Sequence, residues 1–155
     1  MPAPADHGHA SQPERWDAWQ LYFETTALLT ARVEERLKAH GCSLMEYQLL
    51  VLLYRAPGQC LRMGELARRL VFSPSRLNYQ VKVLCERGWV ERRPARGDGR
   101  GWEAVLAPGG ARAYRALRPQ HARDVEELFF ASLTDGDVAR LGELMGKLAQ
   151  GLGEQ

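Results

Sequence analysis

Cysteine is scarce in this chain, with only Cys42, Cys60 and Cys85 among 155 residues. An odd trio cannot build a disulfide framework, which points to a reducing, cytoplasmic setting. No run approaches the ~18 continuous apolar residues that a membrane helix needs, so no membrane association is expected. Met1 to Pro13 holds neither an apolar stretch nor a basic cluster. That segment is expected to be a flexible tail (residues 1–13) rather than a secretory signal. Metal-ligand spacing is also missing. His7 and His9 stand two apart, His40 and Cys42 flank Gly41, and neither set offers three converging ligands. There is no glycine-rich phosphate cradle, and His121 and Asp124, three apart on a helix, have no nucleophile beside them. A helical ion pair is expected there. No catalytic residues, metal site or cofactor are expected, and the chain is not expected to be an enzyme.

What is present is a globular composition, 45% hydrophobic and 26% charged, with no internal repeat. The net charge of +2 conceals a segregation. Residues 62–118 carry 13 Lys+Arg against 5 Asp+Glu, while the rest of the chain carries 8 against 14. A basic middle between acidic flanks is suited to a polyanion. Codon bias accounts for 18 Arg against 3 Lys, but not for their clustering.

Hydrophobic spacing and caps divide the chain into elements. Glu14 to His40 is a long helix with Trp16, Trp19, Phe23, Val33 and Leu37 on one face, stopped by Gly41. Ser43 and Glu46 form a capping box for a second helix whose Tyr47–Tyr54 stretch is nearly all apolar. A short helix over Gly64–Leu70 turns Leu66, Ala67 and Leu70 inward. Ser73 as N-cap and Pro74 at the first helical position open the next helix, with Leu77, Val81 and Leu84 inward and Gly88 closing it. This pair is a helix-turn-helix. Trp89–Arg93 and Trp102–Leu106 are strands of a β-hairpin around the Gly- and Arg-rich turn Pro94–Gly101. Pro108-Gly109-Gly110 leads into a helix to about Ala131, with a kink expected near Pro119. Thr134 to Asp137 caps a last helix whose Val138, Leu141, Met145, Leu148 and Leu152 form a seam for another helix. The fold class is mainly α with a small β-hairpin. It comprises a winged helix-turn-helix domain (residues 43–108) and a helical dimerisation region from the N- and C-terminal helices (residues 14–42 and 109–155).

With its apolar edge turned inward, the helix from Pro74 presents Ser75, Arg76, Asn78, Tyr79 and Lys82 outward, next to the Ser73 cap. These side chains can reach base edges and phosphates. The hairpin adds Arg92, Arg93, Arg96 and Arg100 around a slim tip that can follow a duplex backbone or lower an arginine into a minor groove.

Glu65-Leu66-Ala67-Arg68-Arg69-Leu70, Ser73-Pro74-Ser75-Arg76-Leu77, and Leu84 through Gly88-Trp89-Val90-Glu91-Arg92 resemble the MarR (multiple-antibiotic-resistance regulator) family of winged-helix transcription factors. Asp98-Gly99-Arg100, followed by Leu106, Pro108 and Gly110, extends the resemblance through the wing. Departures are Ala107 where the family usually has Thr, Arg62 and Gly64 before Glu65, and Cys85 where Glu is usual. The resemblance implies an obligate homodimer that binds double-stranded DNA at a palindromic operator. It further implies a repressor, often released by a small phenolic or other aromatic effector. It makes Ser73 to Lys82 the recognition helix, Arg100 the wing-tip arginine and Asp98 its orienting partner. The DNA-binding set is then Ser73, Ser75, Arg76, Asn78, Tyr79, Lys82, Arg93, Arg96, Asp98 and Arg100.

Trp16, Trp19, Phe23 and Tyr47 are candidates for an effector pocket, although filling a dimer core is the simpler use of most of these aromatics. Two alternatives stay open. One is a thiol redox-sensing regulator of the same fold, with Cys42 and Cys60 in loops and Cys85 an inert core thiol. The other is a winged-helix module that binds protein, against which the charge segregation speaks.

Overall fold

Ser11 accepts a hydrogen bond from the Glu14 amide, and the Glu14 carboxylate accepts one from the Ser11 amide at 2.6 Å. This capping box starts α1 (Gln12–Ala39) two residues ahead of the expected Glu14. In this computed structural model the described residues are 11–97 and 100–153, so most of the expected tail, with His7 and His9, lies outside them. The face of α1 is divided along its length. Val33 and Leu37 are buried, whereas Trp16, Trp19 and Phe23 are 62%, 53% and 59% exposed. Only the C-terminal part of α1 packs on this chain's own core.

The capping box of Ser43 and Glu46 opens α2 (Leu44–Arg55) as expected. Leu49, Leu50 and Leu53 of α2 are fully buried and form the centre of the core. After a turn at Pro57–Gln59 the chain makes a strand that sequence pattern did not reveal, β1 (Cys60–Arg62). Three residues are too few to show an alternation. Next come α3 (Met63–Leu70), α4 (Pro74–Glu86), β2 (Val90–Pro94) and β3 (Trp102–Leu106). β1 pairs antiparallel with β3, Leu61 opposite Ala104, so the expected hairpin is a three-stranded sheet in the order β1-β3-β2. Leu66, Leu77, Val81 and Leu84 pack from the helices against Val90, Ala104 and Leu106 of the sheet.

α5 (Pro108–Leu128) runs through Pro119 without interruption and ends earlier than expected, a short turn at Phe130–Ser132 taking up the remainder. Its N-cap Ala107 offers no side-chain cap; instead the Ala107 amide donates to the Trp89 carbonyl at 3.0 Å. Gly109 and Gly110 let this end sit on the Gly88–Trp89 turn. A Cβ on Gly109 would stand 2.7 Å from the Gly88 carbonyl oxygen, and one on Gly110 would collide with that of Trp89. The Thr134–Asp137 box caps α6 (Asp135–Gly153) as expected, and α6 has no buried residue among those described.

The expected His121–Asp124 pair is replaced by a longer-range one. Asp124, 2% exposed, accepts from Arg36 of α1 at 3.2 Å and from the Gln120 side-chain amide at 2.9 Å. Arg36 also reaches Glu127 at 3.0 Å, so one guanidinium fastens α1 to α5. His121 lies against the Tyr47 ring, centroids 4.3 Å apart, and its buried Nδ1 has no hydrogen-bond partner among the described residues. Burial lowers the imidazole pKa, with the Asp124 charge opposing. The unfolded chain therefore binds the His121 proton more readily than the fold does. This contribution is complete above the ordinary histidine pKa and is lost as pH falls below it. Thermal denaturation from about pH 7.5 to pH 5 is expected to show a smaller loss of stability for His121→Phe than for the parent. Parallel curves would mean that the imidazole is not desolvated.

Candidate nucleic-acid interface

α4 is built to show one polar face. Ser73 caps it, accepting from the Arg76 amide at 3.3 Å, and Pro74 occupies the first helical position. Leu77, Val81 and Leu84 are buried, which leaves Ser75, Arg76, Asn78, Tyr79 and Lys82 exposed along the N-terminal turns. The Ser73 and Ser75 hydroxyls are 3.2 Å apart. The Arg76 guanidinium lies 4.3 Å above the Phe72 ring, which braces it without using its donors. Lys82 stands 3.9 Å from Glu86 in a loose, exposed pair. The turn before α4 contains Val71 in the left-handed region at φ 54°, with its side chain almost fully exposed.

The wing is organised by a buried carboxylate. Glu103 accepts from the Cys60 thiol at 2.6 Å, from Arg93 Nε at 3.1 Å and from the Arg96 amide at 3.3 Å. These bonds join all three strands, and the Cys60 bond first, then Arg93, hold the carboxyl pKa down against burial. Arg93, expected at the duplex, thus has its Nε engaged within the sheet. Arg96 and Arg100 are exposed on the loop between β2 and β3, where the Ala95 amide donates to the Gly101 carbonyl at 3.1 Å. Asp98, the expected partner of Arg100, lies outside the described residues.

Asn78 of α4 lines a groove together with Arg62 and Arg68, and with Arg92 and Trp102 of the wing. The Arg92 guanidinium stacks on Trp102 at 4.6 Å. Arg62 and Arg68 were not among the expected DNA contacts; the pairing of β1 with β3 brings Arg62 beside the wing, and α3 brings Arg68 into the same groove.

Of the three thiols, Cys60 departs from its expected place in a loop, while Cys85 packs against the core as expected. Cys42 lies in the expected loop between α1 and α2 but is buried there, and burial first, with the Glu46 charge, pushes its pKa up to about 12. Cys60 belongs to a strand; burial and its bond to Glu103 raise its pKa, although Arg93 Nη2 lies 3.8 Å away. Burial also raises Cys85. All three shifts run away from the thiolate form.

The aromatic candidates do not converge within one chain. Trp16 and Trp19 border an open groove with Gln12 and Arg15, and Phe23 stacks 6.1 Å from Trp19. Tyr47 instead faces a second groove between α2 and α5, with Tyr114, His121, Arg55 and Arg118.

Comparison with known proteins agrees with this architecture. The model of the MarR family matches residues 40–101. No curated protein matches the sequence. Among solved structures, AbsC, a MarR family transcriptional regulator from Streptomyces coelicolor, is 30% identical with a TM-score of 0.87, over 95% of this chain and 99% of that one. Sco3205, a MarR family regulator from the same organism solved in complex with DNA, is 34% identical with a TM-score of 0.86, over 95% and 92%. A mutant of MarR from E. coli, complexed with operator DNA, shares the fold at 24% identity and a TM-score of 0.77, over 90% and 99%. With the helix-turn-helix, the three-stranded wing and two relatives at this identity along nearly their whole length, the chain belongs to the MarR family of transcriptional regulators.

Proposed function

We propose that the chain is a sequence-specific DNA-binding transcription regulator, a cytoplasmic repressor that grips a palindromic operator as a homodimer. The observation that carries this is the uncovered polar face of α4 beside an arginine-lined groove and wing. The relative at 34% identity solved in complex with DNA supports it. In this reading Arg76 and Asn78 read base edges, while Ser73, Ser75, Tyr79, Lys82, Arg96 and Arg100 contact the backbone. Arg93 acts mainly by holding the wing in shape.

The partner for the homodimer is supplied by exposed apolar surface at both ends of the chain. The first half of α1 leaves Trp16, Trp19 and Phe23 uncovered, and α6 leaves Met145, Leu148 and Leu152 uncovered, with Val138 and Leu141 half-buried. A symmetric pair would cover both stripes and set the two recognition helices about 34 Å apart, one turn of duplex. Residues 14–42 and 109–155 then form the dimerisation region and 43–108 the DNA-binding domain.

Release by a small effector is assigned to the groove of Tyr47. Its volume of about 510 Å³, its aromatic lining by Tyr47, Tyr114 and Phe130, and its flanking Arg55 and Arg118 suit an aromatic acid. Binding of a salicylate-type compound is expected to free the operator. An unchanged operator affinity at saturating compound would remove this part of the proposal.

The decisive test is duplex binding at several salt concentrations. With Z phosphates neutralised, log K is expected to fall against log salt with a slope of about −0.9Z. No duplex affinity even at low salt would indicate a protein-binding module instead. On a selected operator, Asn78→Ala is expected to cost about 1–3 kcal/mol with no loss on random duplex. An equal loss on both would reduce Asn78 to a backbone contact.

A further inference from the structure

Alternation along the sheet divides its two faces. Val90, Ala104 and Leu106 point into the core, while Glu103, Cys60 and Arg93 meet on the opposite side. Trp102 and Arg92 belong by register to the core face, since Arg92 pairs with Ala104 and Trp102 with Pro94. They lie past the edge of the packed interior. A tryptophan on the core side of a strand would ordinarily be covered, yet Trp102 is 46% exposed. Its neighbours in the groove are Asn78, Arg62, Arg68 and Arg92, with Glu65 the one acid among the described lining residues. The Arg92 guanidinium covers part of the ring at 4.6 Å and fixes its plane. An open indole among three arginines and an amide calls for an occupant that is anionic along its length and apolar between its charges. A sugar–phosphate backbone meets that description, each deoxyribose separating two phosphates.

We propose that Trp102, braced by Arg92, is a further DNA-contacting residue, its open face packing on a deoxyribose of the duplex backbone where the wing meets the recognition helix. This rests on the DNA-binding reading above. Because the ring is uncharged and touches sugar, it adds affinity without reading sequence and without displacing counterions. Arg92 has two roles, holding the ring and pairing with the neighbouring phosphate.

The test compares the full-length parent, Trp102→Ala, Trp102→Phe and Arg92→Ala on a selected operator and a random duplex across a salt series. Trp102→Ala is expected to weaken both duplexes about tenfold, the effect of uncovering one ring face, with the salt slope unchanged. Trp102→Phe is expected to restore most of that affinity. Arg92→Ala is expected to weaken both and to reduce the slope by about one contact. Unchanged affinity in a folded Trp102→Ala overturns the proposal, and so does a loss confined to the selected operator, which would mean base reading. Should Trp102→Ala fail to fold, acrylamide quenching of the parent decides, read as the difference from Trp102→Phe. DNA must protect that difference signal, and equal quenching with and without duplex overturns the contact. A parent with no duplex affinity would refute the DNA-binding reading itself, an outcome distinct from a parent that binds while its Trp102 variants bind equally well.

Discussion

Gly110→Ala is expected to cost about 3 kcal/mol or more and to lower the thermal midpoint by many degrees. The added methyl would be directed at the Trp89 carbonyl oxygen, with the Leu106 side chain 2.8 Å away on another side. Neither the carbonyl nor α5 can yield cheaply. The same carbonyl accepts from the Ala107 amide, and that bond positions the start of α5, which has no side-chain cap. Displacing it would separate the wing from the helix that leads to the C-terminal region. Gly64→Ala is the matched comparison, since nothing lies within 4 Å of a Cβ there and the residue is inside α3. That variant is expected to gain up to about 1 kcal/mol from helix propensity. Chemical denaturation of both proteins checks the pair; equal midpoints would show that α5 does not rest on the Gly88–Trp89 turn as described.

Leu148→Glu is expected to leave each chain folded and to abolish pairing. Leu148 is 54% exposed in α6, whose described residues are nowhere buried within the chain, so the substitution removes little intramolecular packing. In the proposed dimer the same position lies in the seam, where two related copies would bring paired carboxylates into an apolar interface. Sedimentation is expected to show a monomer with unaltered circular dichroism. Operator affinity is expected to drop ~100-fold or more, because two linked half-sites become independent. A dimer that survives Leu148→Glu would place the interface away from α6.

Local signals made much of this fold legible. The Ser43–Glu46 and Thr134–Asp137 boxes, the Pro74 start of α4 and the Trp102–Leu106 strand each depend on residues a few positions apart, and the structure has them as expected. The inward set Leu77, Val81 and Leu84 fixed which side chains α4 would present. Features set by long-range pairing were not legible. β1 exists because Leu61 meets Ala104 across 43 positions of chain, and no three-residue pattern announces it. Asp124 finds Arg36 rather than its helical neighbour His121, since burial of a carboxylate demands a fixed cation more than proximity in sequence does. Likewise Cys60 acquires Glu103 and Arg93 only through strand register. Of the site, the α4 face was visible in the sequence, whereas the groove that joins Arg62 of β1 and Arg68 of α3 to the wing came into view only with the tertiary fold.

The division of α1 into a buried end and an uncovered end makes it a lever that amplifies displacement. From the Arg36 anchor to Trp16 the helix extends roughly 30 Å at 1.5 Å per residue. A tilt of about 5° at the anchored end swings the tip by ~2–3 Å, several times the few tenths of an ångström over which a hydrogen bond weakens. A displacement too small to disturb the interior is thereby magnified at the distal end, so the separation of two such levers joined at their tips would respond to minute rearrangements around Tyr47.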